Sequence, residues 1–155
     1  MKILIAFHSH MGHSRKVAEI LKEKLGADMV EIKPVKPYKD KPQYMIMGYQ
    51  AMMKAKPPIE TINVVTTDYD LVIIGSPTWN WRPTPPIRTF FSSYPVKKAA
   101  LWVTAGGDGI KAMRRFRSDV EKKTEVVSTF IAQDPKKESL EEDLSKWTEE
   151  LKSKI

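Results

Sequence analysis

The sequence predicts an α/β protein built on a doubly wound, five-stranded parallel sheet. Three observations carry that expectation. Apolar runs alternate with helix-period segments along the whole chain, strand then helix, five times. The strand candidates are apolar throughout rather than alternating, as strands covered on both faces are. Right-handed crossovers between parallel strands then leave a doubly wound sheet as the topology.

Residues 2–7 form the first strand candidate, with the apolar run Ile3-Leu4-Ile5-Ala6-Phe7. A tight polar loop follows at 8–14. From Arg15 to Leu25 the spacing of Val17, Ile20, Leu21 and Leu25 is helical, and Gly26 supplies a stop. Met29-Val30-Glu31-Ile32 is a second, weaker strand. Lys33 to Lys41, with Pro34, Pro37 and the adjacent Pro42, reads as loop.

Tyr44 to Lys54 is expected to be helical and to end before Pro57-Pro58; its methionines (45, 47, 52 and 53) read first as core filler, with a flexible wall over a ligand or dimer surface as the alternative. Asp70 to Gly75 is the clearest buried strand. Thr84-Pro85-Pro86 opens a helix to about Ser93, since proline is tolerated in a first turn. Lys98 to Thr104 is the fourth strand. Asp108, in the loop Gly106-Gly107-Asp108-Gly109, is placed to cap a helix from Ile110 to Lys122. Thr124 to Ala132 is the fifth strand. Asp134 and Pro135 read as N-cap and first residue of a last helix striped by Leu140, Leu144, Trp147 and Leu151. Trp102 and Trp147 are assigned to the core. No internal boundary is visible, so residues 1–155 read as one domain.

Composition narrows the function classes. No cysteine is present, which excludes disulfides, thiolate catalysis and Cys-held metal clusters within this chain. No run approaches the ~18 apolar residues of a membrane span, and Lys2 is followed by only a short apolar stretch, unlike a signal core. The expectation is a soluble, cytoplasmic protein. The chain has 26 Lys and Arg against 19 Asp and Glu, a formal charge of +7. The basic residues are scattered, which favours a solvated surface over a nucleic-acid or membrane footprint; Arg114, Arg115, Arg117, Lys122 and Lys123 read as such a face.

Ligands of a doubly wound sheet collect beyond the carboxyl ends of the strands. Three loops leave such ends. The first, His8-Ser9-His10-Met11-Gly12-His13-Ser14, enters a helix, where backbone N–H groups without intrahelical acceptors and the positive dipole end favour a phosphate. The second, Ser76-Pro77-Thr78-Trp79-Asn80-Trp81-Arg82-Pro83, holds two indoles able to stack on a flat conjugated ring. The third, Thr104-Ala105-Gly106-Gly107-Asp108-Gly109, lets backbone approach a ligand edge. Together they point to a phosphorylated planar heterocycle. His8, His10 and His13 at i, i+2 and i+5 lack a fourth donor for a metal site. No Walker A motif or Gly-x-Gly-x-x-Gly occurs.

These loops resemble the flavodoxin family. Ser9-His10-Met11-Gly12-His13-Ser14 lies on its Ser/Thr-x-Thr-Gly-x-Thr phosphate signature. Gly75-Ser76-Pro77-Thr78-Trp79 and Pro83-Thr84-Pro85-Pro86-Ile87 match its second loop, and Thr104 to Gly107 resembles its Ser/Thr-x-Gly-Gly segment. The resemblance spans the chain in order and spacing and implies strand order 2-1-3-4-5 in the short-chain form. It also implies FMN as cofactor. Ser9, His10, Met11, Gly12, His13 and Ser14 would surround the phosphate. Pro77, Thr78, Trp79, Asn80 and Trp81 would flank the isoalloxazine, and Ala105, Gly106 and Gly107 its pyrimidine edge. Met11 stands where the family usually has Thr, a lost hydroxyl worth only ~1 kcal/mol. Trp81 stands where Gly is frequent.

The implied activity is electron carriage, of one or two electrons, between redox protein partners, which the +7 charge allows to be acidic. The implied assembly is a monomer or homodimer. An NAD(P)H-dependent FMN or quinone reductase is the alternative, and a cofactor-free binding domain the second. Arg82, if directed inward, would stabilise an anionic reduced flavin and make its potential less negative.

Overall fold

The computed structural model describes residues 1–39, 44–134 and 138–155. Its strands and helices alternate as expected: β1 (Ile3–Phe7), α1 (His13–Leu25), β2 (Asp28–Glu31), α2 (Tyr44–Met52), β3 (Leu71–Trp79), β4 (Arg82–Pro83), α3 (Pro85–Ser93), β5 (Lys98–Thr104), α4 (Gly109–Glu121), β6 (Glu125–Ala132) and α5 (Leu140–Lys154). A 3-10 turn at Thr66–Asp68 leads into β3.

The sheet order is β2-β1-β3-β5-β6, with β4 attached to β3. The five long strands therefore run in the 2-1-3-4-5 order, all parallel. All five residues of β1 are buried, because both faces of the sheet are covered. On one face Phe7, Ile73 and Trp102 pack with Val17 and Leu21 of α1 and Leu144 and Trp147 of α5. On the other, Leu4, Ile74 and Leu101 pack with Ile87 and Phe90 of α3 and Met113 and Phe116 of α4. Trp102 and Trp147 are core residues, as expected.

Gly75 admits the largest of these side chains. A Cβ placed there would stand 2.0 Å from the Trp102 ring, which lies directly over it. The two residues are register partners across β3 and β5.

Three boundaries and one burial assignment correct the sequence reading. The second loop is not irregular: β3 runs on to Trp79, and Thr78 and Trp79 pair antiparallel with Pro83 and Arg82. The turn between them is Asn80-Trp81, with φ of 52° and 56°. Two positive-φ residues are what a two-residue type I′ hairpin turn requires. Second, α5 begins at Leu140 after Ser139, not at Asp134; Pro135 lies outside the described residues, as does Pro42. Third, of the four methionines read as core filler only Met47 is buried; Met45, Met52 and Met53 are exposed. Fourth, α2 ends at Met52, short of Lys54.

Candidate functional site

The order of strands reverses between β1 and β3, and the crevice beyond their carboxyl ends is where such a sheet binds ligands. A cleft of about 640 Å³ opens there, within the range of small-molecule and cofactor sites. Loops after β1, β3, β5 and β6 line it.

One end is built by the β1–α1 loop. Gly12, at the N-cap, adopts φ 91°, a left-handed turn that aims the chain into α1, and has no side chain of its own to cap the helix. The first-turn N–H groups of His13 and Ser14 therefore have no intrahelical acceptor. Ser9 Oγ accepts from the Gly12 N–H at 3.1 Å and the Arg15 N–H at 3.4 Å, holding the loop closed. The Ser14 hydroxyl meets the Thr104 hydroxyl at 3.3 Å, tying the helix start to the end of β5. His10, Met11, His13 and Ser14 line the cleft.

A second wall is Pro77, Thr78 and Trp79. The Trp79 indole is fixed by edge-on contacts with the rings of His8 at 5.6 Å, His10 at 5.7 Å and Tyr38 at 5.0 Å. Tyr38 in turn donates from its hydroxyl to Gln50 Oε1 at 2.6 Å, and burial pushes its pKa up to about 12. Thr78 Oγ1 donates to the Thr104 carbonyl at 3.3 Å.

Beneath Trp79 lies a buried polar chain. His8 Nδ1 sits 2.8 Å from Thr84 Oγ1, which is 3.2 Å from Ser76 Oγ; that oxygen also accepts the Thr84 N–H at 2.9 Å. Burial, and secondarily the neighbouring His10, lowers the His8 pKa to about 4.

The third wall is Thr104, Ala105 and Gly106. A Cβ at Gly106 would meet nothing within 4 Å, and its φ is not left-handed. Asp108 caps α4 as expected, accepting the Lys111 N–H at 2.9 Å.

Nine of the fourteen sequence-derived residues thus line one cleft: His10, Met11, His13, Ser14, Pro77, Thr78, Trp79, Ala105 and Gly106. Ser9 and Gly12 shape the loop from behind. Asn80 and Trp81 form the hairpin tip, outside the cleft lining. Trp81 is 46% exposed and leans toward Gly107, with Lys111 Nζ 4.7 Å from its ring centroid and its carbonyl 3.5 Å from Arg115 Nη1. Arg82 is not among the lining residues. It faces α3 and α4, where burial and then the Arg115 and Arg88 guanidiniums lower its pKa. The inward orientation imagined for it does not occur.

Two lining residues lie outside the three loops that the sequence pointed to: Gln133 and Asp134. Gln133 Nε2 donates to the carbonyls of Gly107 and, at 3.4 Å, Ala105. The signal was available, since residues 133–134 also leave the carboxyl end of a strand.

Fold and cleft define the class: a doubly wound α/β protein whose rim brings a helix N-terminus and an indole into one cleft, a receptacle for a flat phosphate-bearing molecule. The sequence places it further. The chain belongs to the flavodoxin family, whose model matches residues 2–151. Solved structures share the fold. A protein from Bacteroides eggerthii superposes with a TM-score of 0.80 at 23% identity, over 97% of this chain and 98% of that one. A flavoprotein from Lactobacillus acidophilus, solved in complex with FMN, gives 0.75 at 24% identity, over 95% and 98%. Oxidised flavodoxin 2 from Bacillus cereus gives 0.63 at 18% identity over both whole chains. No curated protein matches the sequence.

Proposed function

We propose that this chain binds FMN in the rim cleft and carries electrons between protein partners. The observation that carries the reading is the cleft itself, lined by the first-turn residues His13 and Ser14 of α1 and by the Trp79 indole that three rings hold edge-on. Family membership and the FMN complex of the Lactobacillus relative support the cofactor. FMN, when bound, supplies the one- and two-electron chemistry.

The chain's residues bind and orient. The N–H groups of His13 and Ser14 and the Ser14 hydroxyl receive the phosphate, with the helix dipole favouring its charge. Trp79 offers the ring a flat apolar surface, and Gly106 leaves room for the ring's polar edge. His8, kept neutral by burial, holds Thr84 and the edge of Trp79 in place. No residue is assigned as a general acid or base.

Fluorescence titration with FMN, paired with riboflavin, tests the site. FMN is expected to be quenched and to raise the melting temperature, and riboflavin to bind much more weakly. His13→Glu separates the phosphate from folding. A carboxylate in the first turn of α1 favours the helix but repels the phosphate, so stability should hold while FMN affinity falls at least about tenfold, a loss of ~1.4 kcal/mol. A protein that leaves FMN fluorescence unchanged would be a cofactor-free member of the fold. Anaerobic mixing with NADH or NADPH checks the activity: slow or absent flavin bleaching is expected, whereas steady turnover with a quinone acceptor would make the protein a reductase.

A further inference from the structure

Helix α2 leaves an apolar face uncovered. Met45 is 88% exposed, and Ile46, Tyr49, Met52 and Met53 are each about half exposed. Their spacing sets them on one side of the helix, while Met47 and Ala51 turn inward and are buried. The helix Tyr44–Met52 carries no charged residue, in a chain of which 29% is charged. A contiguous apolar patch marks an interaction surface, and Met and Tyr are side chains that interface centres favour.

Cations border that patch. Lys54 and Lys56, just beyond α2, line a cleft of about 350 Å³ together with Arg88 of α3 and Lys122 and Lys123 at the end of α4. Three separate stretches of chain bring five cations to one concavity. Among the described residues the one carboxylate lining it is Asp119, already engaged by Arg88 at 2.9 Å and Lys122 at 3.7 Å. The positive charge continues toward the hairpin through Arg82 and Arg115. Helix α2 also packs against β3 and β4, so patch and hairpin are neighbours.

We infer that this surface, apolar in its centre and cationic along its flank, docks an acidic protein that exchanges electrons with the bound flavin. The inference rests on the electron-carrier reading above. Charge decides the occupant. A second copy would set lysines against lysines in a chain of formal charge +7. A flat lipid surface would not enter the concavity of about 350 Å³ that Lys54, Lys56, Lys122 and Lys123 line. A protruding carboxylate-bearing segment beside an apolar contact satisfies both parts.

Cytochrome b5, an acidic haem protein, serves as probe, with basic cytochrome c as its opposite. Flavin absorbance of the loaded chain is recorded first, so a colourless preparation refutes the cofactor reading alone. Amide shifts of the isotope-labelled chain, oxidised, are then mapped during titration at low ionic strength. In a separate experiment the anaerobically photoreduced protein is mixed with the oxidised haem protein, whose ferric iron takes one electron from the flavin and becomes ferrous. Shifts are expected within 45–56, 88–92 and 119–123, fading as salt is added. The Lys56→Glu/Lys122→Glu variant should keep its FMN affinity yet lose about tenfold or more in both cytochrome b5 affinity and reduction rate. Met45→Glu should weaken binding with the salt dependence preserved. Shifts on another face, indifference to salt, or equal binding of cytochrome c overturns the inference. So does self-association of the chain through α2, or binding to anionic vesicles at these residues with no response to cytochrome b5.

Discussion

Gly75 and Trp102 bring a residue without a side chain under the largest ring in the core. Gly75→Ala is expected to cost about 2–3 kcal/mol by overpacking, read as a fall in the urea midpoint at unchanged slope. Among the described residues the Trp102 Nε1 finds no acceptor, so Gly75→Ala/Trp102→Phe should recover much of the loss, a coupling that a double-mutant cycle measures. His8 supplies a pH dependence of known sign. Its pKa is about 4 in the folded chain and near 6.5 unfolded. Between those values the unfolded state binds the extra proton, so stability is full above about pH 6.5 and falls as pH drops toward 4. The contribution is on the order of 3 kcal/mol, and His8→Gln should flatten the profile over that window in thermal melts. Neither residue announced itself. Gly75 looked like a strand end, and His8 like a residue that merely closes β1, because both roles depend on strands remote in sequence.

At the scale of elements, the hairpin β3–β4 shows what local patterning conceals. Asn80-Gly would have been a plain two-residue turn signal, but Trp81 in the left-handed region is sterically disfavoured for a bulky side chain. Trp81→Gly should therefore raise the melting temperature of the ligand-free protein. The relief of about 1–2 kcal/mol outweighs the loss of the Lys111 contact, about 0.5–1 kcal/mol. Helix α4 offers the converse, a cap legible in advance. Asp108→Ala should cost about 1 kcal/mol by the same measurement. Strands β1, β5 and β6 and helices α1, α3 and α4 were legible to within two residues, because each couples an unbroken apolar run or a helical stripe to a Gly, Pro or Asp boundary. The start of α5 was misplaced because Asp134 and Pro135 carry the composition of a helix start, whereas the observed N-cap position is Ser139, whose side chain makes no capping bond.

For the whole molecule, the alternation of strands and helices was enough to state the architecture, and the rule that ligands gather at strand ends was enough to find the rim. What the sequence could not show was which residues turn into the cleft. Trp79 closes β3 and Trp81 sits in the turn two residues on, and the turn sends one toward the cleft and the other toward Lys111. Gln133 and Tyr38 were missed for a related reason, since each matters through a partner, Gly107 in one case and Trp79 in the other. The exposed face of α2 likewise could not be told from core filler by methionine content, because burial there is decided by which neighbours arrive.

Strand β1 is wholly buried and held between β2 and β3 along its length, whereas the Asn80-Trp81 turn is exposed and paired at only two positions. Amide protons of Ile3 to Phe7 should then be among the slowest in the chain to exchange with deuterium, and those of the hairpin among the fastest. The floor of the cleft would then stay shut while the β4 side of the rim breathes.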